Sequence, residues 1–105
     1  MIILGIESSC DETAAAICKN GNILSSIVSS QQIHKNFGGV VPEVASREHE
    51  RLLNYSVEKA LDEAEIALSD LDGVGVTQGP GLAGTLITGV CFAKGLSQSL
   101  NIPIL

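Results

Sequence analysis

Residues 1–30, MIILGIESSCDETAAAICKNGNILSSIVSS, decide the fold. Met1 to Glu7 is an apolar run that closes on an acid, the pattern of a buried strand. Thr13 to Cys18 (TAAAIC) is a second run of strand length, and the polar stretch Ser8-Ser9-Cys10-Asp11-Glu12 between them reads as a tight loop. Asn20-Gly21 is a strong hairpin signal, because both central positions of a type I′ turn need positive φ. Ile23 to Ser30 alternates weakly and makes a third strand, so the chain opens as a three-stranded meander.

Beyond Gly38-Gly39 the period changes. Pro42 suits the first turn of a helix. From there Ala45, His49, Leu52, Leu53, Val57, Ala60, Leu61, Ala64 and Leu68 recur at helical spacing. Arg47, Glu50, Arg51, Glu58 and Glu65 fall on the other side, and Ser69-Asp70 with Asp72-Gly73 mark the exit. Val74 to Gln78 is a fourth strand and Gly79-Pro80-Gly81 a sharp turn. Leu82 to Leu100 is a second helix, apolar on most sides, whose Gly84, Gly89 and Gly95 suggest close approach to a sheet. Asn101 can end it, and Ile102 to Leu105 begins a fifth strand. The order βββαβαβ predicts an α/β fold with a mixed sheet and helices on its faces. The order resembles the ribonuclease-H-like half of the actin, hexokinase and Hsp70 superfamily, in which two such halves clasp a nucleotide. The 105 residues read as one such half, incomplete at its C-terminal end.

Composition narrows the function. Hydrophobic residues make up 45% and aromatics 3%, so the core must be built from Ile, Leu, Val and Ala. A net charge of −6 makes the chain a poor nucleic-acid binder by itself, because phosphate contacts need Lys and Arg. An RNA-directed protein would have to carry its basic surface elsewhere. The three cysteines, Cys10, Cys18 and Cys91, form no C-x-x-C pair and predict neither a disulfide framework nor a zinc site. They suit a reducing cytosol, with Cys18 and Cys91 as small core residues. No basic region precedes the apolar start, as a secretory signal would require, and the apolar stretch from Leu82 to Ala93 is too short for a membrane span.

Two segments carry chemistry. In Glu7-Ser8-Ser9-Cys10-Asp11-Glu12-Thr13, three carboxylates lie within six residues of a turn. Its backbone N–H groups and hydroxyls can cradle an anion, and its acids can hold a divalent cation or take a proton. The same residues also suit a solvated hairpin loop with no further role. Gly79-Pro80-Gly81-Leu82-Ala83-Gly84-Thr85 joins a strand to a helix N-terminus, a natural anion site, yet it is neither a Walker A loop nor a dinucleotide fingerprint. The alternative is a turn whose glycines only permit packing. His49 lies on the apolar stripe with no second His four residues away, so it reads as a structural helix residue. Cys10 sits among acids that disfavour its thiolate, which argues against a nucleophile.

Together these motifs resemble the threonylcarbamoyl transferase catalytic-subunit family (TsaD, formerly called O-sialoglycoprotein endopeptidase or glycoprotease). The matching residues are Gly5-Ile6-Glu7-Ser8-Ser9-Cys10-Asp11-Glu12-Thr13, Gly38-Gly39-Val40-Val41-Pro42-Glu43-Val44-Ala45-Ser46-Arg47, His49, and Gly79-Pro80-Gly81-Leu82 with Gly84 and Gly89. They run in order over nearly the whole chain. The resemblance implies a cytoplasmic enzyme of the actin-like ATPase fold. It would transfer the threonylcarbamoyl group from threonylcarbamoyl adenylate to adenosine 37 of tRNAs reading ANN codons. It implies Asp11 and Glu12 as catalytic or substrate-positioning carboxylates. Ser8, Ser9, Cys10, Gly79, Pro80, Gly81 and Gly84 would form the phosphate and substrate loops.

The resemblance also implies an adenylate or ATP-type nucleotide and one metal ion, iron or zinc. The metal is held by an H-x-x-x-H pair and a distant Asp, all outside these residues. The partners it implies are tRNA, a paralogous scaffold subunit and an ATPase subunit, with no membrane. Without the metal ligands the 105 residues alone are expected to be inert. A non-catalytic scaffold of the same pathway is the alternative, disfavoured by the intact acidic run. A metalloendopeptidase is a further one, for which the chain offers neither H-E-x-x-H nor a nucleophile–base pair. A sugar or acetate kinase of the same superfamily would carry Asp where Glu7 stands and lack the Ser-Ser-Cys-Asp-Glu run.

Overall fold

A computed structural model of the chain describes residues 1–9, 12–30, 42–76 and 83–105. Its elements are β1 (Ile2–Ser9), β2 (Glu12–Lys19), β3 (Asn22–Ser30), α1 (Pro42–Ala64), a 3-10 turn (Leu68–Asp70), β4 (Gly73–Val76) and α2 (Ala83–Leu100). The sheet order is β3-β2-β1-β4. β1 pairs antiparallel with β2, β2 antiparallel with β3, and β1 parallel with β4. This is the expected mixed sheet with helices.

The Asn20-Gly21 turn forms as its residues require, with φ of 51° and 86°. Register then sorts the side chains. Leu4 faces Ile17 on one side and Val74 on the other, and Ile6 faces Ala15. All five are buried, and with Leu53, Val57 and Ala60 of α1, Leu71, and Ala93 of α2 they make one core. Both helices therefore cover the same face of the sheet. α1 lies on β2 and β3, α2 on β1 and β4, and the two helices touch. The opposite face presents Gly5, Glu7, Ala14, Ala16, Ser26 and Val28 around a shallow depression.

Several boundaries differ from expectation. α1 stops at Ala64 rather than reaching Leu68. Glu65 takes the left-handed conformation, φ 57°. Ile66 N–H then donates to the Leu61 carbonyl at 3.0 Å and Glu65 N–H to that of Asp62 at 3.1 Å. That is a Schellman cap with a glutamate where glycine is usual, and so it left no signal in the sequence. Leu68 consequently leaves the apolar stripe and stands 39% exposed.

The exposed side of α2 carries Cys91, Lys94, Gly95, Gln98 and Ser99, so this helix is amphipathic rather than apolar on most sides. Cys91 is exposed and Cys18 half-buried, so Cys91 is not a core residue. Gly89 is buried as a contact glycine should be, but a Cβ on Gly95 would meet nothing within 4 Å. Asn101 ends α2 with φ 56°, and Ile102 N–H donates to the Ser97 carbonyl at 3.0 Å. The fifth strand is present as one parallel bridge, Val74 to Ile104, with hydrogen bonds Val74 N to Pro103 O (3.0 Å) and Leu105 N to Val74 O (2.7 Å).

Candidate functional site

The strand pairing brings the two candidate segments to one end of the sheet. Ser9 pairs with Glu12, and Glu12 with Ser30, in the last row of the meander. The next row is Ser8, Thr13 and Ser29. Ser8, Ser9 and Glu12, expected in a loop, are therefore strand residues, because the β1–β2 ladder runs on through Ser9 and Glu12. Only Cys10 and Asp11 lie between the strands, and both fall outside the described residues.

β4 runs parallel to β1 and ends at Val76, level with Ile6. That is three residues short of Ser9, about 10 Å along the strand. Gly79, Pro80 and Gly81 follow β4 in sequence and lie outside the described residues. The chain rejoins at Ala83, the first residue of α2, with Gly84 in its first turn. α2 then carries the chain back until Ile104 pairs in parallel beside Val74 near the start of β4, so its N-terminus belongs to the site end. Carboxyl ends of parallel strands meeting a helix N-terminus are where α/β sheets bind ligands.

α1 points the same way. Ser56 Oγ lies 3.3 Å from Ser29 Oγ, and Ser25 Oγ donates to the Ala60 carbonyl at 2.7 Å. Advancing along α1 thus means retreating along β3, so the helix is antiparallel to it and its N-terminal half lies toward the acidic hairpin. Arg47 and His49 belong to that half, within the helix but with side chains outside the described residues. The sequence reading missed the hydroxyl residues Ser25, Ser29 and Ser56. A signal was present for two of them: Ser25 and Ser29 flank Ile27 at strand spacing.

Glu7 is exposed on the uncovered face. No group of three His, Cys, Asp or Glu among the described residues could hold a metal ion. The described residues therefore do not supply the ligands of the metal that the resemblance implies. No helix among the described residues is long and apolar enough to cross a membrane.

A family model described as tRNA N6-adenosine threonylcarbamoyltransferase (TsaD) matches residues 22–105. The curated protein of that name from Chlorobium chlorochromatii is 58% identical over 103 residues, which is 98% of this chain and 29% of the relative. Its counterpart from Clostridium kluyveri is 59% identical over 105 residues, covering 98% and 31%. The chain thus spans less than a third of the length of these relatives.

Among solved structures, YeaZ from Pseudomonas aeruginosa superposes with a TM-score of 0.79 at 24% identity, over 99% of this chain and 42% of that one. Thermus thermophilus RuvC bound to a Holliday junction gives 0.57 at 13%, over 99% and 62%. Both likenesses show the ribonuclease-H-like fold alone. The family match over residues 22–105, together with the identity to named transferases over nearly every residue, settles the family: this chain belongs to the tRNA N6-adenosine threonylcarbamoyltransferase family.

Proposed function

We propose that these residues are the first, incomplete actin-like subdomain of a cytoplasmic enzyme that makes threonylcarbamoyladenosine at position 37 of tRNAs reading ANN codons. The observation that carries this is the convergence of the Ser9–Glu12 hairpin, the carboxyl end of β4 and the start of α2 at one end of the sheet, in a chain of this family.

In the reaction, the N6 amine of adenosine forms a C–N bond to the carbamoyl carbon of threonylcarbamoyl adenylate. The carbon–oxygen bond to the adenylate phosphate breaks, and AMP leaves with the electron pair. The proton lost from N6 passes to the carboxylate of Asp11, which also orients the amine, and Glu12 assists from the adjacent position. Backbone N–H groups of Cys10, Gly79, Gly81 and Gly84, flanked by Ser8, Ser9 and Pro80, are suited to the adenylate phosphate.

The rest of the enzyme contributes what this chain lacks. It supplies the basic surface for tRNA, the metal ligands, and contacts to a scaffold and an ATPase subunit.

The test uses the full-length protein with unmodified tRNA and threonylcarbamoyl adenylate, reading modified nucleoside at position 37. Turnover by the full-length protein and none by the 105 residues alone is expected. Turnover by the isolated 105 residues would refute their dependence on the rest of the protein, and a full-length protein that leaves adenosine 37 unmodified would refute the activity itself.

A further inference from the structure

We propose that Asn20, at the tip of the hairpin joining β2 to β3, is a site of spontaneous covalent modification: the Gly21 backbone nitrogen displaces its side-chain amide, and water then fixes a charge at residue 20. The chain has five asparagines, Asn20, Asn22, Asn36, Asn54 and Asn101. The last four precede Ile, Phe, Tyr and Ile, whose side chains shield the next backbone nitrogen, whereas Asn20 precedes glycine. Asn20 and Gly21 are both exposed, and nothing lies within 4 Å of where a Gly21 Cβ would stand. Approach to the Gly21 nitrogen is therefore uncrowded.

Asn101 supplies a comparison within the fold. It too is exposed and left-handed, with φ of 56° against 51° at Asn20. The nitrogen after it belongs to the branched residue Ile102 and already donates to the Ser97 carbonyl at 3.0 Å. The two asparagines share a backbone conformation and differ in access to the nucleophile. Exposed turn tips open locally at low cost, which lets the Asn20 amide and the Gly21 nitrogen align.

In the step, the Gly21 nitrogen forms a bond to Cγ of Asn20. The bond from Cγ to its amide nitrogen breaks, and ammonia leaves with the proton shed by Gly21. The cyclic succinimide then takes up water. Opening at the side-chain carbonyl leaves aspartate on the normal main chain. Opening at the main-chain carbonyl leaves isoaspartate, with the main chain rerouted through Cβ and Cγ. Water is the sole co-reactant.

The structure separates the two products. The Met1 ammonium donates to Asn20 Oδ1 at 2.6 Å, so aspartate at residue 20 turns a neutral acceptor into a charge-assisted pair. Asp-Gly also suits a type I′ turn. Isoaspartate lengthens the main chain inside a turn whose register is fixed by the pairing of Lys19 with Asn22. It cannot keep both that pairing and the 3.0 Å bond from the residue-20 N–H to the Met1 carbonyl.

The experiment incubates the full-length protein at mildly alkaline pH, where the attacking nitrogen loses its proton more readily, and maps its peptides for Asn, Asp and isoaspartate. Asn20 should lose its amide while Asn22 and Asn101 keep theirs. Of the forms separated by chromatography, the aspartyl one should melt no lower than the starting material and the isoaspartyl one lower. N20D, made directly, should reproduce the aspartyl form. An amide retained at Asn20, or lost at Asn101 in step with it, would overturn the site. N20D melting below the wild type, or an isoaspartyl form melting with the wild type, would overturn the part given to the Met1 contact and the turn.

Discussion

The two ends of the sheet are built differently. At the end holding the N-terminus, backbone and short polar side chains close every ladder. The Met1 ammonium donates to Asn20 Oδ1 at 2.6 Å, and Asn20 N–H donates back to the Met1 carbonyl at 3.0 Å. Asp72 continues β4 by one residue with its side chain: Ile2 N–H donates to its Oδ2 at 2.8 Å, while its own N–H donates to the Ile2 carbonyl at 2.8 Å. Ala67 N–H donates to Asp70 Oδ2 at 3.0 Å. Gly73 is packed so tightly that a Cβ there would come within 3.1 Å of Ile3 Cδ1. At the other end the Ser9–Glu12 hairpin, the carboxyl end of β4 and the start of α2 come together. One end is thus closed by hydrogen bonds, while the candidate segments meet at the other.

The contrast predicts that substitutions at the two ends fail in different assays. The largest effect is at the chemical end. Asp11→Ala in the full-length enzyme should cost about 10²- to 10⁴-fold in turnover, the contribution of a positioned general base, with melting temperature nearly unchanged. A D11A protein that melts early instead would erase the distinction between the ends.

Next come substitutions in the core common to both ends. Leu4→Ala, at a fully buried central position, should destabilise by about 2–5 kcal/mol in denaturant unfolding. At the structural end, Gly21→Val places a β-branched residue at φ 86° and should cost about 1–3 kcal/mol, while kcat of the folded fraction is retained. Asp72→Ala should cost about 1 kcal/mol by removing the acceptor for Ile2 N–H. The smallest effect sharpens the comparison by belonging to neither end. Lys59 and Glu63 form an i,i+4 pair at 3.9 Å with side chains 47% and 51% exposed, so Lys59→Ala should shift stability by under about 0.5 kcal/mol.

Strand periodicity, the Asn-Gly turn, Pro42 at a helix start and the Leu53–Val57–Ala60 stripe were all legible before any coordinates. Each depends on interactions within a few residues, which the order of side chains states directly. The family was legible too, because its motifs are short and contiguous. The end of α1 was hidden, since Glu65 adopts a left-handed conformation that Schellman hydrogen bonds and the docking of Ile66 on the core stabilise against its intrinsic preference. The status of Ser8, Ser9 and Glu12 was hidden as well: polar residues read as loop, but pairing with a partner strand satisfies their backbone.

The sequence by itself determined the order of strands and helices, the I′ turn and the acidic run, because these follow from local sterics and patterning. Only the tertiary structure decided that both helices share one face of the sheet, that α1 runs antiparallel to β3, and that the acidic hairpin and the β4–α2 connection converge at one end. Those depend on strand order and on contacts between residues far apart in the chain, where burial of Leu4, Ile17, Leu53 and Val74 in a single core selects one arrangement among many that the local pattern permits.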